Sequence, residues 1–368
     1  MDALMLPLNW QRVRLGDIGK PCMCKRVMKH QTTRYGEIPF YKIGTFGNTA
    51  DAFISKKLFL EYKTKYSFPK KGDILISASG TIGRAVIYDG KPAYFQDSNI
   101  VWIDNDETLV KNDFLFYAYS NVKWNTEYTT ILRLYNDNFR NTLIPLPPLN
   151  EQSAIANILS ALDRYLYALD ALILKKEGVK KALSFELLSQ RKRLKGFNQA
   201  WQRVKLGDIC EITTGSLDAN EMVHYGKYRF YTCAKEYYFI DKYAFDTEAI
   251  LISGNGAYVG YVHYYKGKFN AYQRTYVLDN FSEHIIFVKY FLTMFLQSHI
   301  QTNKNEGNTP YIVMATLKDF EILLPPLNEQ IAIANILSAL DNEIISLKNK
   351  KRQFENIKKA LNHDLMSA

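Results

Sequence analysis

The sequence of 368 residues has few cysteines and no long apolar run. No window approaches the roughly 18 consecutive apolar residues of a membrane helix, and the opening MDALMLPLNWQRVRL lacks the pattern of a signal or transit peptide. We therefore expect a cytoplasmic protein with no membrane partner. The 4 cysteines are too few for a disulfide framework, and Cys22 and Cys24 lack the second ligand pair of a structural zinc site. We interpret all of them as reduced thiols and expect no metal site.

Common catalytic motifs are also missing. The sequence contains no G-x-x-x-x-G-K-[ST] phosphate loop, no H-E-x-x-H metal motif and no F-x-G-x-G loop of the kind that holds a methyl donor. We therefore expect no catalytic residues and no cofactor in this chain.

Basic residues outnumber acidic ones by 47 to 37, which gives a formal net charge of +10. The excess is uneven: residues 1–149 carry +6, 150–200 carry +4, 201–327 carry −1 and 328–368 carry +1. A surplus of this size favours a polyanionic partner such as nucleic acid. The near-neutral third segment leaves a protein partner open.

The chain contains an internal repeat, which is the most informative feature of the sequence. WQRVRLGDI at 10–18 returns as WQRVKLGDI at 201–209, and LPPLNEQSAIANILSALD at 146–163 returns as LPPLNEQIAIANILSALD at 324–341. The residues between these constant blocks have diverged. The organisation is therefore a variable module (1–149), a constant helix (150–195), a second variable module (196–327) and a second constant helix (328–368).

The constant segments are predicted to be long helices. Each follows a Pro-Pro pair, with Asn150 or Asn328 as the expected N-cap. Apolar residues then recur in alternating steps of four and three for more than four heptads, which indicates coiled-coil pairing, and the two helices are each other's natural partners. We expect them to pair antiparallel. Lysines occupy some seam positions, and we expect their ammonium groups to reach solvent rather than to fix the register; these are Lys176, Lys180, Lys351 and Lys358.

The modules combine short β-branched and aromatic runs with Gly-rich turns, as in KGDILISASGTIGRAVIYDG and EAILISGNGAYVGYVHYYKG. Such runs are typical of β-hairpins. The predicted fold is of the α+β class: two β-rich α/β domains joined by two long helices that pair as an antiparallel coiled coil, with a pseudo-two-fold internal repeat.

This arrangement, with W-Q-x-V-x-L-G-D-I opening each module and LPPLNEQ opening each helix, resembles the specificity (S) subunit of type I restriction-modification enzymes over nearly the whole chain. The resemblance implies a non-catalytic DNA-recognition subunit. Each domain would then read one half of a split, asymmetric sequence, and the helices would set the spacing between the halves.

The resemblance also implies the partners. They are double-stranded DNA, two methyltransferase (M) subunits and, for restriction, two translocase-nuclease (R) subunits. S-adenosylmethionine, ATP and Mg are expected on those partner subunits. The alternative is a coiled-coil scaffold that joins two protein-binding domains.

Turns between strands can place donors in the major groove, where Arg reads guanine and Asn or Gln reads adenine. The candidates are Ser79, Thr81, Arg84 and Gln96 in the first module, and Asn255, Tyr258, Gln273 and Arg274 in the second. Lys25, Arg26 and Lys29 are candidates for holding the DNA backbone. The residues that open the helices are expected to be structural or to face the methyltransferase; these are Asn150, Glu151, Gln152, Asn328, Glu329 and Gln330.

Overall fold

The computed structural model describes residues 9–128, 132–302 and 310–367. Its contacts divide the chain into two units. Unit 1 takes the described residues up to Asp170 together with those from Lys350 onward, and unit 2 is Ala171–Asn349. Each unit therefore combines one module with part of each long helix.

The first module is built from short strands and helices. Its strands are β1 (Gln11–Arg14), β2 (Gly19–Met23), β3 (Ile38–Tyr41), β4 (Phe53–Ile54), β5 (Ile74–Ser77), β6 (Ala85–Ile87), β7 (Tyr94–Phe95), β8 (Ile100–Asn105), β9 (Glu127–Tyr128), β10 (Leu132–Arg133) and β11 (Leu143–Leu146). Its helices are α1 (Leu15–Ile18), α2 (Lys56–Lys65), α3 (Asn112–Ala118) and α4 (Asn136–Asn141), and short 3-10 turns lie at Lys29–Gln31 and Tyr119–Asn121.

Strands of the first module form small sheets. One has the order β2-β8-β5-β6 with antiparallel neighbours, and another has the order β4-β3-β7, in which β3 and β7 are parallel. Strand β1 pairs with β11, so the first constant block is bonded to the residues that lead into the second.

The long helix α5 (Leu149–Leu188) leads to the second module. The strands of this module are β12 (Gln202–Lys205), β13 (Glu211–Thr214), β14 (Tyr228–Tyr231), β15 (Tyr238–Ile240), β16 (Phe245–Ser253), β17 (Val262–Ala271), β18 (Thr275–Asp279) and β19 (Glu321–Leu324). Its helices are α6 (Ile285–Thr302) and α7 (Met314–Lys318), 3-10 turns lie at Leu206–Asp208 and Ala219–Glu221, and the long helix α8 (Leu327–Ser367) follows.

The second module repeats the plan of the first. Strand β12 pairs with β19 as β1 pairs with β11, and β14 pairs in parallel with β17 as β3 does with β7. Its main sheet is larger, with the order β13-β18-β16-β17-β14-β15. Because these pairings recur where the sequences have diverged, the repeat extends beyond the constant blocks.

Each module has a core on both faces of its sheet, because alternate residues of a strand point to opposite faces. In β16, Ile250 and Ile252 pack with the helices, whereas Ala249 and Leu251 pack in a smaller core with Phe269. The first module repeats this division: residues 74 and 76 of β5 join the core that contains the long helices, and residue 75 joins the other, which includes Phe59 of α2.

The long helices run antiparallel within unit 1. Lys358 of α8 forms an ion pair with Asp163 of α5, and Lys351 pairs with Asp170 at 2.6 Å. The later lysine of α8 thus contacts the earlier aspartate of α5, which means that the two helices run in opposite directions. Asp163 also accepts a 2.8 Å hydrogen bond from the hydroxyl of Tyr117, on α3 of the module.

The same arrangement recurs in unit 2. Lys180 of α5 pairs with Asp341 of α8, and Lys176 pairs with Glu343 at 2.7 Å. Tyr290 of α6 donates a 2.6 Å hydrogen bond to Asp341. One carboxylate thus joins the module to both helices, as it does in unit 1.

These contacts confirm the predicted antiparallel pairing and correct the expectation for the seam lysines. All four bind a carboxylate on the opposite helix, and each side chain is only about 30% exposed. The expectation that they reach solvent was wrong, because heptad spacing on one helix does not show which acids lie opposite.

The helix boundaries also differ from those expected. Helices α5 and α8 begin at Leu149 and Leu327, so Asn150 and Asn328 lie inside the first turn and are not the N-caps. The first turns are closed instead by the carbonyls of the preceding prolines. Helix α5 ends at Leu188 rather than at 195, and the positive φ of Gln190 (61°) turns the chain away from it.

We predict that Asp341→Asn destabilises the protein by about 1.5–3 kcal/mol at pH 7, because the carboxylate accepts charge-assisted bonds. Burial would raise the pKa of Asp341, but the bonds from Lys180 and Tyr290 outweigh it and lower the pKa. A carboxyl with a lowered pKa stabilises the fold above its unfolded value of about 3.9, and this contribution is lost as the pH falls through the folded value.

The free energy of unfolding in urea, measured for both proteins from pH 7 to pH 3, tests this prediction. The difference between them should stay constant down to about pH 4.5 and then shrink. Glu343→Gln is the matched control, because the Glu343 side chain is 44% exposed and should contribute less than about 1 kcal/mol. A loss equal to that of the control, or one independent of pH, would contradict the prediction.

Candidate nucleic-acid interface

A cleft of about 470 Å³ in the first module gathers cationic and amide side chains. They come from segments far apart in the sequence; those that line the cleft are Arg26, Lys29, Lys42, Gln96, Asn99 and Arg133. Cations of this kind neutralise phosphates, and amides can bond to base edges. The arrangement is chemically suited to nucleic acid.

The floor of the cleft is the loop between β7 and β8, and hydrogen bonds fix it in place. The backbone N–H of Gln96 donates to the Tyr41 carbonyl at 2.9 Å, and the Gln96 side-chain oxygen accepts from the Ile43 N–H at 2.9 Å. The Asn99 side-chain oxygen accepts a 2.8 Å bond from the Ser79 hydroxyl. Each of these amides therefore has its carbonyl oxygen bonded within the protein and retains its NH₂ group as a donor.

Three of the predicted residues of the first module thus lie together: Arg26, Lys29 and Gln96. Ser79 is buried and reaches the cleft only through Asn99. Lys42, Asn99 and Arg133 were missed, because nothing in the local sequence shows that these positions converge. Arg133, for example, is placed by a bridge between its backbone and that of Ser79.

The other candidates of the first module do not line this cleft. Thr81 offers its backbone carbonyl to the Ser77 hydroxyl. The exposed guanidinium of Arg84 lies 3.4 Å from the Gly47 carbonyl oxygen. Lys25 places its ammonium 5.1 Å from the centre of the Tyr66 ring. Their DNA-binding roles stay predictions.

In the second module, two loops meet and bring the candidates close. The Gly254 N–H donates to the Arg274 carbonyl at 2.8 Å, which joins the β16–β17 loop, with Asn255 and Tyr258, to the β17–β18 loop, with Gln273 and Arg274. A Cβ on Gly254 would lie 2.3 Å from that carbonyl oxygen, so only glycine permits this approach. Gln273 and Arg274 are exposed, and Tyr258 is 43% exposed.

An aromatic cluster of the second module was not predicted. The guanidinium of Arg229 lies over the rings of Tyr237 and Tyr265, at 4.3 and 4.4 Å from their centres, and 3.4 Å from the Tyr231 hydroxyl. Nothing in the local sequence shows that these residues converge, because Arg229 and Tyr265 lie on different strands, β14 and β17.

The residues that open α5 bind inward to the first module. Gln152 is fully buried: its NH₂ group donates to the carbonyls of Leu109 (2.9 Å) and Pro147 (2.8 Å), and its oxygen accepts from the Lys111 N–H at 2.8 Å. Glu151 accepts bonds from the side chains of Asn9 and Trp10.

The corresponding residues of α8 make similar bonds in the second module. Gln330 is 1% exposed and bonds to the Pro325 carbonyl, the His284 N–H and the Glu283 carboxylate. Glu329 is fully buried, and its carboxylate accepts hydrogen bonds from the Arg193 guanidinium (2.6 Å) and the Trp201 indole N–H (3.1 Å). Of the Glu and Gln side chains that open the two helices, those of Gln152, Glu329 and Gln330 are enclosed by their own chain. This burial corresponds to a structural role, which was one of the two roles expected. Asn150 and Asn328 are exposed, and their contact with a partner stays a prediction.

Within the described residues, no cluster of three or more His, Cys, Asp or Glu side chains is arranged to hold a metal ion. The cysteines are free thiols, and burial raises the pKa of Cys24 to about 12. Among the helices of the described ranges, none is both long and apolar enough to cross a membrane.

The family model for the type I restriction modification DNA specificity domain matches residues 7–176 and 198–356. The chain therefore belongs to this family, and it contains two copies of the domain. Each copy of the domain includes one of the two modules.

Two curated relatives are similar over part of the chain. A Haemophilus influenzae protein, provisionally described as a type I restriction enzyme specificity subunit, is 64% identical over 148 residues, which are 40% of this chain and 38% of that protein. The EcoDI specificity subunit of Escherichia coli is 40% identical over 162 residues, 43% of this chain and 35% of that protein. The matches thus span little more than a third of either relative.

Similarity to two other proteins extends over the whole chain. The type I restriction enzyme MjaVIII specificity subunit of Methanocaldococcus jannaschii is 25% identical over an alignment that covers 100% of this chain and 94% of that protein. The crystal structure of the S subunit of a type I restriction-modification system from M. genitalium superposes with a TM-score of 0.69, at 18% identity and 98% coverage of both chains. This likeness shows that the fold is shared.

We predict that Gln152→Ala destabilises the protein by about 1–3 kcal/mol, because it leaves buried backbone groups without partners. Asn150→Ala is the matched control: it removes a neighbouring, exposed amide and should change stability by less than about 0.5 kcal/mol. Urea unfolding of both variants checks the prediction. If the two variants lose equal stability, the buried hydrogen bonds of Gln152 do not contribute to the stability of the fold.

Proposed function

We propose that this chain is the DNA sequence-recognition subunit of a type I restriction-modification complex. Each module reads one half of a bipartite, asymmetric site, and the paired helices set the spacing between the halves. The observation that carries the proposal is a repeated backbone frame whose side chains differ between the modules. A protein that reads two unrelated half-sites needs this combination, because each module meets the same double helix but different bases.

The frame is supported by matching strand pairs. Gln96 and Gln273 occupy the corresponding loops, after β7 and β17, which pair in parallel with β3 and β14. Around these loops the side chains differ: the first module presents a cationic cleft, whereas the second presents Tyr258 and Arg274. Arginine and amide side chains read guanine and adenine in the major groove, and because these side chains lie at different positions in the two modules, we expect each module to select different bases.

We also propose that the helices dock two methyltransferase subunits. Several apolar side chains of α5 and α8 are exposed, including Tyr167 (78%), Leu174 (69%) and Ile345 (55%). Exposed apolar side chains on helices are suited to a protein partner. In this proposal the chain itself is non-catalytic and cytoplasmic, and S-adenosylmethionine, ATP and Mg bind to the methyltransferase and, where present, the nuclease subunits.

The proposal predicts bipartite adenine methylation that depends on this chain. The chain would be expressed with the methyltransferase encoded beside it, and methylated adenines would be mapped across the host chromosome. One split motif should be methylated. Replacing residues 20–140 with those of a related chain should change one half of the motif, because that half is read by the first module.

The control replaces the corresponding part of the second module, residues 211–317, and should change the other half only. A methylation pattern that survives deletion of this chain, with an active methyltransferase, would contradict the proposal. That result would favour a coiled-coil scaffold for two protein-binding domains, whose protein partners would be recovered after nuclease treatment.

We further predict that Lys29→Gln and Arg133→Gln weaken DNA binding by the complex at every sequence. Each should lower the slope of log K against log salt by about 0.9, because one phosphate contact is lost. Fluorescence anisotropy with a labelled duplex at several salt concentrations measures the slope. Lys91→Gln, an exposed change outside the cleft, is the control and should leave the slope unaltered. If the slopes equal that of the control, the cleft is not part of the DNA interface.

A further inference from the structure

The cleft of the first module also contains a carboxylate, which is paired with one of its basic side chains. Among the described residues that line it, Asp97 is the one acid beside four basic side chains. Its carboxylate lies 2.8 Å from Nε of Arg26, and its side chain is only 13% exposed, whereas that of Arg26 is 66% exposed. Asp97 therefore holds Arg26 from within the cleft, as a phosphate would from outside.

The backbone next to Asp97 adopts a costly conformation. Ser98 has a φ of 59°, in the left-handed region that L-residues with a side chain rarely occupy. Its hydroxyl lies 3.4 Å from the Asp97 carboxylate. Strain of this kind persists where the surrounding structure requires a particular geometry, and it is concentrated at functional sites. Here the strained residue lies between Asp97 and Asn99, both of which line the cleft.

The second module lacks both the acid and the surrounding cations at corresponding positions. After the shared glutamine, Asp97 is replaced by Arg274. The positions correspond because the 3-10 turns at Lys29–Gln31 and Ala219–Glu221 precede β3 and β14 by equal distances, and because Ser79 and Asn255 form matching bridges to residues 133 and 311. In place of the four cations of the cleft, the second module has Ser216, Ala219, Thr232 and Tyr311. The acid therefore occurs only in the module that has the cations.

We propose that the cleft binds a phosphate of the DNA backbone and that Asp97 is a specificity-determining residue, which limits sequence-independent binding by holding Arg26. This inference rests on the proposed function. A phosphate must displace the Asp97 carboxylate from Arg26 and then lie near that negative charge. The contact with the DNA backbone therefore contributes little affinity by itself. Where the bases match, contacts elsewhere in the module offset this cost, and discrimination between sites increases.

The test uses the complex of this chain with its methyltransferase and two labelled duplexes of equal length, one with the methylated motif and one with the motif scrambled. Asp97→Asn should tighten binding to the scrambled duplex about tenfold at low salt and steepen its salt slope by about 0.9, because Arg26 becomes available to a phosphate. Affinity for the target should rise less than about threefold, so discrimination falls.

Asp104→Asn is the matched control. It also removes one negative charge from the first module, but its carboxylate is bound to Lys70 outside the cleft, and it should leave the affinity for both duplexes within about twofold. Arg26→Gln tests the mechanism: it should cost little affinity for the scrambled duplex in the original chain and should abolish the gain in the Asp97→Asn background. Because Arg26 is exposed, Arg26→Gln also tests the proposal if Asp97→Asn folds poorly: in the original chain it should lower the salt slope for the target duplex by about 0.9 and leave that for the scrambled duplex unchanged.

Two results would overturn the proposal. Unchanged binding of the scrambled duplex by Asp97→Asn would show that the carboxylate does not restrain Arg26. Loss of target affinity, or a shift in the methylated motif, would show that Asp97 reads a base instead. Both differ from failure of the proposed function, in which the complex with the original chain would not distinguish the two duplexes.

Discussion

A single carboxylate in each unit joins three parts of the protein. Asp163 accepts a hydrogen bond from Tyr117 of the module and an ion pair from Lys358 of the other long helix, and Asp341 occupies the same place in unit 2. A partly buried carboxylate is costly unless its oxygens have partners. Sliding either helix, or rotating the module on it, would break these bonds. The register of the helices and the orientation of each module on them are therefore specified together.

The two cores of each module separate what is constant from what varies. The core that contains the long helices includes residues of the constant blocks, such as Leu15 and Leu159 in the first module and Leu206 and Leu337 in the second. The cores on the opposite face of the sheets include none of the residues in these blocks. The sheet thus lies between them, so side chains on one face can change while the packing against the helices is kept.

The long helices were predictable, because heptad spacing is a local property of the sequence. The antiparallel pairing was also expected, but the partners of Lys180 and Lys358 were not, since the facing residues lie more than 150 positions away. The cleft was predicted only in part. Arg26, Lys29 and Gln96 were chosen by residue type, whereas Arg133 joins them through a backbone bridge that no short-range pattern shows. The residues that open each helix were expected to be structural or to face a partner, but the burial of Gln152 and Gln330 depends on the packing of the module against the helix.

The division of the long helices between the units has a consequence for synthesis on the ribosome. The core of unit 1 includes Met366, and Leu361 and Leu365 pack against it, although the rest of that unit is complete by Asp170. At about 5–20 residues per second, the ribosome needs roughly 10–40 s to translate the intervening stretch. During this time the apolar face of the first long helix has emerged without its final partner. The nascent chain must therefore keep that face from aggregating until residues 361–366 have been made.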